Sequence, residues 1–204
     1  WTIKDAVAAA KDGDVITIIA DQTLTNSDAF IESAYNQFYV FAEVSDKNIT
    51  IDLNGKVITI NSDLDKMLVA AIYSIKDGEI TLKDSSEAQT GAINVNASET
   101  SSVYSLFAAD EGGKFNIENG NYYLNRVDLS ATAPRALIYT SDDMNFTVNG
   151  GNFVLGNART STDINGKPQP WIFNGLKNGQ NHVYVTGGTY NVDPTHPHGD
   201  AYFP

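Results

Sequence analysis

The sequence predicts an all-β fold: a right-handed, single-stranded parallel β-helix of about five to six coils, covered at one end by a short N-terminal α-helix. Three observations carry this prediction. A phrase of the form apolar-x-apolar, turn, apolar-x-apolar starts at Ile49, Ile80, Phe115, Phe146 and Val183, at intervals of 31 to 37 residues. Upstream of each copy lies a third apolar run: Phe38-Tyr-Val-Phe, Leu68-Val-Ala-Ala-Ile, Leu106-Phe-Ala-Ala, Leu137-Ile-Tyr and Trp171-Ile-Phe. Four of the five copies place Asn-Gly or Gly-Gly between the two halves of the phrase, residues that tolerate positive φ and let the chain bend between short strands. Asn-Gly is also a hairpin signal, so antiparallel hairpins at Asn149-Gly150 and Gly187-Gly188 are the competing outcome. The third run decides against them, because three strands per repeat stack naturally on their counterparts in the coils above and below.

Taken in order, the chain first offers a cap. Thr2 suits an N-cap, Asp5 sits at the capping-box position, Ile3, Ala6, Val7 and Ala10 share one helical face, and Gly13 ends the element. Such a helix covers the apolar core that an open solenoid end exposes. Residues 1–14 are therefore read as cap, 15–193 as coils beginning at Val15-Ile-Thr-Ile-Ile, and 194–204 as a tail or exit to a further module, all in one domain. Alternation assigns Ile49/Ile51, Ile80/Leu82, Phe115/Ile117, Phe146/Val148 and Val183/Val185 to one inner wall. Ile93/Val95, Tyr122/Leu124, Phe153/Leu155 and Tyr190/Val192 form the next.

Composition narrows the partners. With 13 Lys and Arg against 25 Asp and Glu, the 204-residue chain carries a formal charge of −12, which repels nucleic acid and anionic membranes. No apolar run is long enough to span a bilayer, so membrane insertion is not expected. The absence of Cys rules out disulfides and thiolate chemistry. Twenty Asn and 16 Gly leave a polar surface built largely from amides. No Gly-rich phosphate loop opens a helix, and there is no serine nucleophile elbow.

Chemistry is sought where the coils are longer than three strands require: Asn96 to Tyr104, Asn125 to Arg135 and Gly156 to Pro170. Insertions at one place in a repeat project from one side of the stack. On that side Arg126, Asp128, Arg135, Arg159, Asp163 and Trp171 are either part of a groove for a polar polymer or solvated connections, with Trp171 a core residue. Asp46, Asp77, Glu111 and Asp143 each precede the opening strand of a repeat and are expected to stack at one corner. A ladder of carboxylates and turn carbonyls suits Ca2+, whereas the same residues are equally at home in ordinary turns. No other cofactor is expected. His196 and His198 flank Pro197 in an extended segment that points them apart. Tyr39, Tyr123, Tyr139 and Tyr184 face outward, either as platforms for sugar rings or packed beneath loops.

The segments Thr2-Ile-Lys-Asp-Ala-Val-Ala-Ala-Ala-Lys-Asp-Gly-Asp-Val-Ile-Thr-Ile, Asn48-Ile-Thr-Ile-Asp-Leu-Asn-Gly-Lys and Gly187-Gly-Thr-Tyr-Asn-Val-Asp-Pro resemble bacterial surface proteins with right-handed parallel β-helix repeats, the pectin-lyase-like superfamily. That resemblance implies a secreted or cell-surface location. It also implies a non-catalytic, adhesin-like module that binds glycan or matrix or spaces other modules. The alternative is a polysaccharide lyase or glycoside hydrolase acting in the loop-side groove. Polysaccharide or cell-surface glycan is the partner either role implies, and the oligomeric state is left open. No stretch matches the catalytic motif of any one family in the superfamily.

Overall fold

The computed structural model describes residues 1–32, 38–62, 67–98, 105–125, 136–140, 145–156, 161–162, 168–169, 171–175, 182–194 and 198–199. Its chain winds through three parallel sheets, visiting them in the same order in each coil. The first sheet stacks Val15–Thr17, Asn48–Asp52, Glu79–Lys83, Lys114–Ile117, Asn145–Val148 and His182–Val185. The second stacks Gln22–Leu24, Val57–Ser62, Ala92–Ala97, Asn121–Leu124, Asn152–Leu155 and Thr189–Tyr190. The third holds Phe38–Ser45, Met67–Ile75, Phe107–Ala109, Ala136–Thr140, Trp171–Gly175 and His198–Gly199, with Phe30–Glu32 added antiparallel at its edge. Phe115 lies between Ile80 and Phe146, and Phe146 pairs onward with Val183, all in parallel register. The segments around Asn149-Gly150 and Gly187-Gly188 therefore turn between sheets rather than closing hairpins.

The regular part is shorter than the five to six coils expected. Three turns, beginning at Asn48, Glu79 and Lys114, pass through all three sheets with no other pairing among the described residues. The next is interrupted by a small antiparallel excursion, Ser161–Thr162 against Pro168–Gln169. In the first turn the antiparallel Phe30–Glu32 precedes the third-sheet strand Phe38–Ser45, and the last contributes only two-residue pairings in the second and third sheets. Apolar phrases count coils correctly only where the strands between them stay in the stack. His198–Gly199, inside the segment read as an exit, pairs in parallel with Asn174–Gly175.

Alternation has the consequence it should. Ile49, Ile51, Ile80, Leu82, Phe115, Ile117, Phe146, Val148 and Val183 are buried, as are Ile93, Val95, Tyr122, Leu124, Phe153 and Leu155. Their intervening partners Thr50, Thr81, Asn116 and Thr147 are half-buried on the outer face. The core changes character along the axis. Aliphatic side chains, with Phe41, fill the earlier coils, whereas from Phe107 onward rings stack on rings: Phe115 on Phe146 at 4.5 Å and 9°, Phe153 on Tyr190 at 5.0 Å and 7°. Phe107 meets Tyr122 edge-on at 5.1 Å, an arrangement aromatic quadrupoles favour.

The third sheet departs from alternation. Ala70 through Ile75 are all buried, as are Leu106 through Ala109 and Ala136 through Ile138. A second apolar cluster, made of Val40, Ala70, Tyr73, Ile75 and Ala108 with Tyr139 packed against it, occupies the outer face of this sheet. Parallel strands buried on both faces read as continuous apolar runs, which is how these segments look in the sequence.

The cap is a helix over Ile3–Ala9. Thr2 Oγ1 accepts from the Asp5 N–H at 3.3 Å and the Asp5 carboxylate accepts from the Thr2 N–H at 3.2 Å, completing the capping box. These Thr2 hydrogen bonds hold the Asp5 carboxyl below its ordinary pKa. Ile3 and Val7 plug the end of the core. The helix stops at Ala9 rather than Gly13, and its last carbonyls are taken by a lysine from the next coil: Lys47 Nζ donates to Val7 O at 2.7 Å and Ala10 O at 2.9 Å. A cation at a helix C-terminus also complements its dipole.

Candidate functional site

Between the first and second sheets the chain turns three times through superposed glycines. Gly120, Gly151 and Gly188 adopt φ of 112°, 111° and 106°, a region closed to residues with a Cβ. Beneath each lies the ring two residues on: a Cβ at Gly120 would stand 2.7 Å from the Tyr122 hydroxyl, and one at Gly188 would stand 2.8 Å from that of Tyr190. Those hydroxyls donate back into the turn, Tyr122 to Asn119 O at 2.6 Å and Tyr190 to Gly187 O at 3.0 Å. Burial pushes both phenols up, Tyr190 to about 12 and Tyr122 further, so both stay protonated donors. The glycines thus leave a floor without side chains.

Over that floor runs a shallow groove of about 350 Å3, lined by Gln89, Asn119, Gly120, Asn121, Gly151, Asn152, Gly188 and Thr189. Its rim is set by register, because Asn121 pairs with Asn152 and Asn152 with Thr189. Not every amide is available. Asn119 is spent on structure, its Oδ1 accepting from the Asp84 N–H and its Nδ2 donating to Asp84 O at 3.1 Å. Asn121 Nδ2 donates to Gln89 O and Gly91 O at 2.9 and 3.1 Å. The side chains of Gln89, Asn152 and Thr189 are exposed and engage no other described side chain or backbone group. Together with the Asn121 carbonyl they present uncharged donors and acceptors along the solenoid axis, one set per coil, at the parallel-strand spacing of roughly 4.8 Å.

Asp84 shapes the near end of the groove. It is 2% exposed, and its carboxylate accepts from Gly55 N–H at 2.7 Å, Ser86 N–H at 3.1 Å and Gly91 N–H at 2.6 Å, pinning the loop that carries Gln89. Desolvation alone pushes its pKa up, and the hydrogen bonds from Ser86, Gly91 and Gly55 outweigh it, so the carboxyl sits below its ordinary value.

A second cleft, of about 430 Å3, is lined by Thr25, Asn61, Ser62, Asn96, Ala97 and Ser98 where the second-sheet strands end, the side on which the sequence places its long insertions. Asn96 Nδ2 donates to Asn61 Oδ1 across it at 3.0 Å. Of the groove residues anticipated there, Arg126, Asp128, Arg135, Arg159 and Asp163 lie outside the described residues. Trp171 opens its third-sheet strand and pairs with Ala136.

At the acidic corner, Asp46, Asp77 and Glu111 all occupy left-handed turns, with φ of 55°, 59° and 47°. Asp46 N–H donates to Lys76 O and Asp77 N–H to Glu111 O, and the Asp77 carboxylate leans over Gly112. Asp77 thus stacks on Gly112 and not on Glu111, which sits one residue earlier. Asp143 lies outside the described residues, and among those described no three Asp, Glu or His side chains come together as a metal site. Of the outward tyrosines, Tyr139 packs into the second apolar cluster, the Tyr123 hydroxyl lies against the Gly156 backbone, and Tyr184 is 39% exposed. No helix among the described residues is long and apolar enough to cross a membrane.

Sequence reasoning missed the groove. Its signal is a Gly-x-aromatic phrase, Gly120-Asn-Tyr122, Gly151-Asn-Phe153 and Gly188-Thr-Tyr190, which marks a turn with no side chain above a ring. No family model, curated protein or solved structure matches the chain.

Proposed function

We propose that the chain is a non-catalytic surface module of pectin-lyase-like, bacterial cell-surface type, which binds an uncharged glycan along the glycine-floored groove and holds neighbouring modules apart. The observation that carries this reading is the row of unengaged neutral hydrogen-bonding groups, Gln89, the Asn121 carbonyl, Asn152 and Thr189, over a floor that admits close approach. Amides and hydroxyls pair with sugar hydroxyls in both donor and acceptor senses. A groove without cations on a chain of charge −12 favours a neutral polymer over a uronate or sulfated one. Successive rungs offer similar groups at a constant step, which suits an extended polymer lying along the axis.

The test is a panel of neutral and acidic polysaccharides, with affinity measured by calorimetry. Binding of a neutral polymer, weakened about tenfold in Asn152→Ala, the loss of one or two hydrogen bonds, is expected. Preference for acidic polymers, or equal binding by Asn152→Ala and Gln89→Ala, removes the groove from the reading. Release of reducing ends or of unsaturated uronate overturns its non-catalytic part.

A further inference from the structure

Six Asn-Gly pairs occur in the sequence, and four fall among described residues. Asn-Gly is the dipeptide in which the following backbone nitrogen reaches the Asn side chain with least steric hindrance. The fold treats these four differently. Gly55, after Asn54, has its N–H held by the Asp84 carboxylate at 2.7 Å, so the attacking atom is occupied. Asn119 has its amide clamped at both ends by the Asp84 backbone. Asn174-Gly175 lies inside a third-sheet strand paired on both sides, which fixes the backbone extended. At Asn149-Gly150 the Gly150 N–H meets no acceptor among the described residues, the Asn149 amide bonds side chains rather than a backbone clamp, and both residues lie outside a strand.

Asn149 is exposed and lies one residue past the strand Asn145–Val148, and the Gly150 N–H has no hydrogen-bond acceptor among the described residues. The Asn149 amide is polarised instead. Its Oδ1 accepts from the Thr186 hydroxyl of the next coil at 2.9 Å, whereas its Nδ2 is held only by a 3.3 Å bond to Asn116 Oδ1. A donor on the carbonyl oxygen stabilises the oxyanion that forms when a nucleophile adds to the carbon, and a loosely held nitrogen leaves readily.

We propose that Asn149-Gly150 is a self-modification site. The deprotonated Gly150 nitrogen attacks Asn149 Cγ, the new C–N bond forms, and the side-chain nitrogen departs as ammonia after taking up a proton, leaving a cyclic imide. Water then opens one of the two imide carbonyls, giving Asp or isoaspartate. No oxidation or reduction occurs, and no co-reactant besides water is needed. Thr186 acts as a positioning and polarising residue. The product adds a negative charge between Asn116 and Thr186, and isoaspartate also lengthens the backbone at a corner where the Asn149 N–H bonds Ile117 O at 2.8 Å. The stack thereby acquires a time-dependent weak point on its C-terminal side, independent of whether the groove binds glycan.

The folded protein is incubated at neutral and mildly alkaline pH, and peptides are separated and weighed to quantify Asp and isoaspartate at each pair. Asn149 is expected to convert at least about tenfold faster than Asn54 or Asn119, with the rate rising with pH and falling several-fold in Thr186→Val, the loss of roughly one hydrogen bond at the barrier. In denaturant the three sites are expected to converge, which separates the effect of the fold from that of the dipeptide. Equal rates for the three sites in the folded protein, or faster conversion at Asn54 or Asn119, overturn the proposal. An unchanged rate in Thr186→Val overturns the role given to that hydroxyl.

Discussion

The N-terminal and C-terminal coils tie one coil to the next with different chemistry. On the N-terminal side carboxylates predominate among the latches: Asp12 accepts from Asn48 N–H at 2.8 Å, Asp21 from Val57 N–H at 2.9 Å, Asp52 from Ser85 N–H at 3.0 Å and Asp84 from Gly55 N–H at 2.7 Å, beside the Asn54 amide, which donates to Ile18 O at 3.2 Å. Toward the C-terminus the latches are amides. Asn119, Asn125 and Asn191 each accept an N–H and donate to the C=O of the same residue one coil back, Asp84, Ala97 and Leu155 respectively. An ionised carboxylate only accepts, so it satisfies stray N–H groups, whereas an amide reproduces both halves of a peptide rung. The cores differ in parallel, mostly aliphatic at one end and with stacked rings at the other. Acid therefore acts on the Asp84 latch, and ring packing with glycine turns governs the other end.

The largest effect that would sharpen this contrast is Phe146→Ala. Phe146 is fully buried and stacked on Phe115, and its truncation is expected to cost about 3–5 kcal/mol in urea unfolding. Ile80→Val in the aliphatic ladder is expected to cost only about 0.5–1.5 kcal/mol, and an equal loss from both would break the distinction.

Next comes Gly151→Ala, at about 1–3 kcal/mol, because φ of 111° strains any residue with a Cβ. Gly55, at φ of 72°, lies nearer the left-handed basin that Asn tolerates, so Gly55→Asn is expected to cost less than Gly151→Asn.

Asp84→Asn leaves the carboxylate's N–H donors incompletely served and is expected to cost about 1–3 kcal/mol. The sign of its pH dependence follows from its lowered pKa. The contribution of Asp84 is complete above the unfolded value near 3.9 and is lost as pH falls from there through the folded pKa. Amide exchange as a function of pH is expected to show acid loosening residues near Gly55 and Gly91 before those near Asn191.

Asn191→Ala and Tyr122→Phe are expected to cost as little as Ile80→Val, about 0.5–1.5 kcal/mol each. Tyr122→Phe makes its turn resemble that of Phe153, and thermal melts that leave the two proteins indistinguishable would mean that Gly120 and ring packing alone hold it.

Much of the fold was legible because a strand with one buried face writes its period of two directly into the residues. Ile80-Thr-Leu and Phe146-Thr-Val show this, and both inner walls followed from it. Ile58 and Ile60, the first buried pair of the second wall, were not singled out, because Val57-Ile-Thr-Ile follows the Asn-Gly turn without a separate repeat signal. Burial of the third sheet on both faces was not legible either, since a continuous apolar run such as Leu68-Val-Ala-Ala-Ile is the same whether one face or two are covered. The candidate site was the least legible part. Charged residues in long insertions stand out in a sequence, whereas the groove consists of turn glycines, the loop residue Gln89 and neutral side chains at the starts of second-sheet strands.

The sequence by itself determined the strand period, the capping box at Thr2 and Asp5, and the glycine positions, because each depends on residues within a few positions of one another, and the solenoid repeat, because such short phrases recur along the chain. Only the tertiary structure decided which amides are spent on latches and which stay open, that Lys47 closes the helix, that Asp84 pins the Gln89 loop, and that Asn149 is unguarded among the described Asn-Gly pairs. The latches, the Lys47 closure, the bond from Asp84 to Gly55 and the Thr186 contact of Asn149 all depend on a partner about one coil away, brought within hydrogen-bonding reach only by the pitch of the coil.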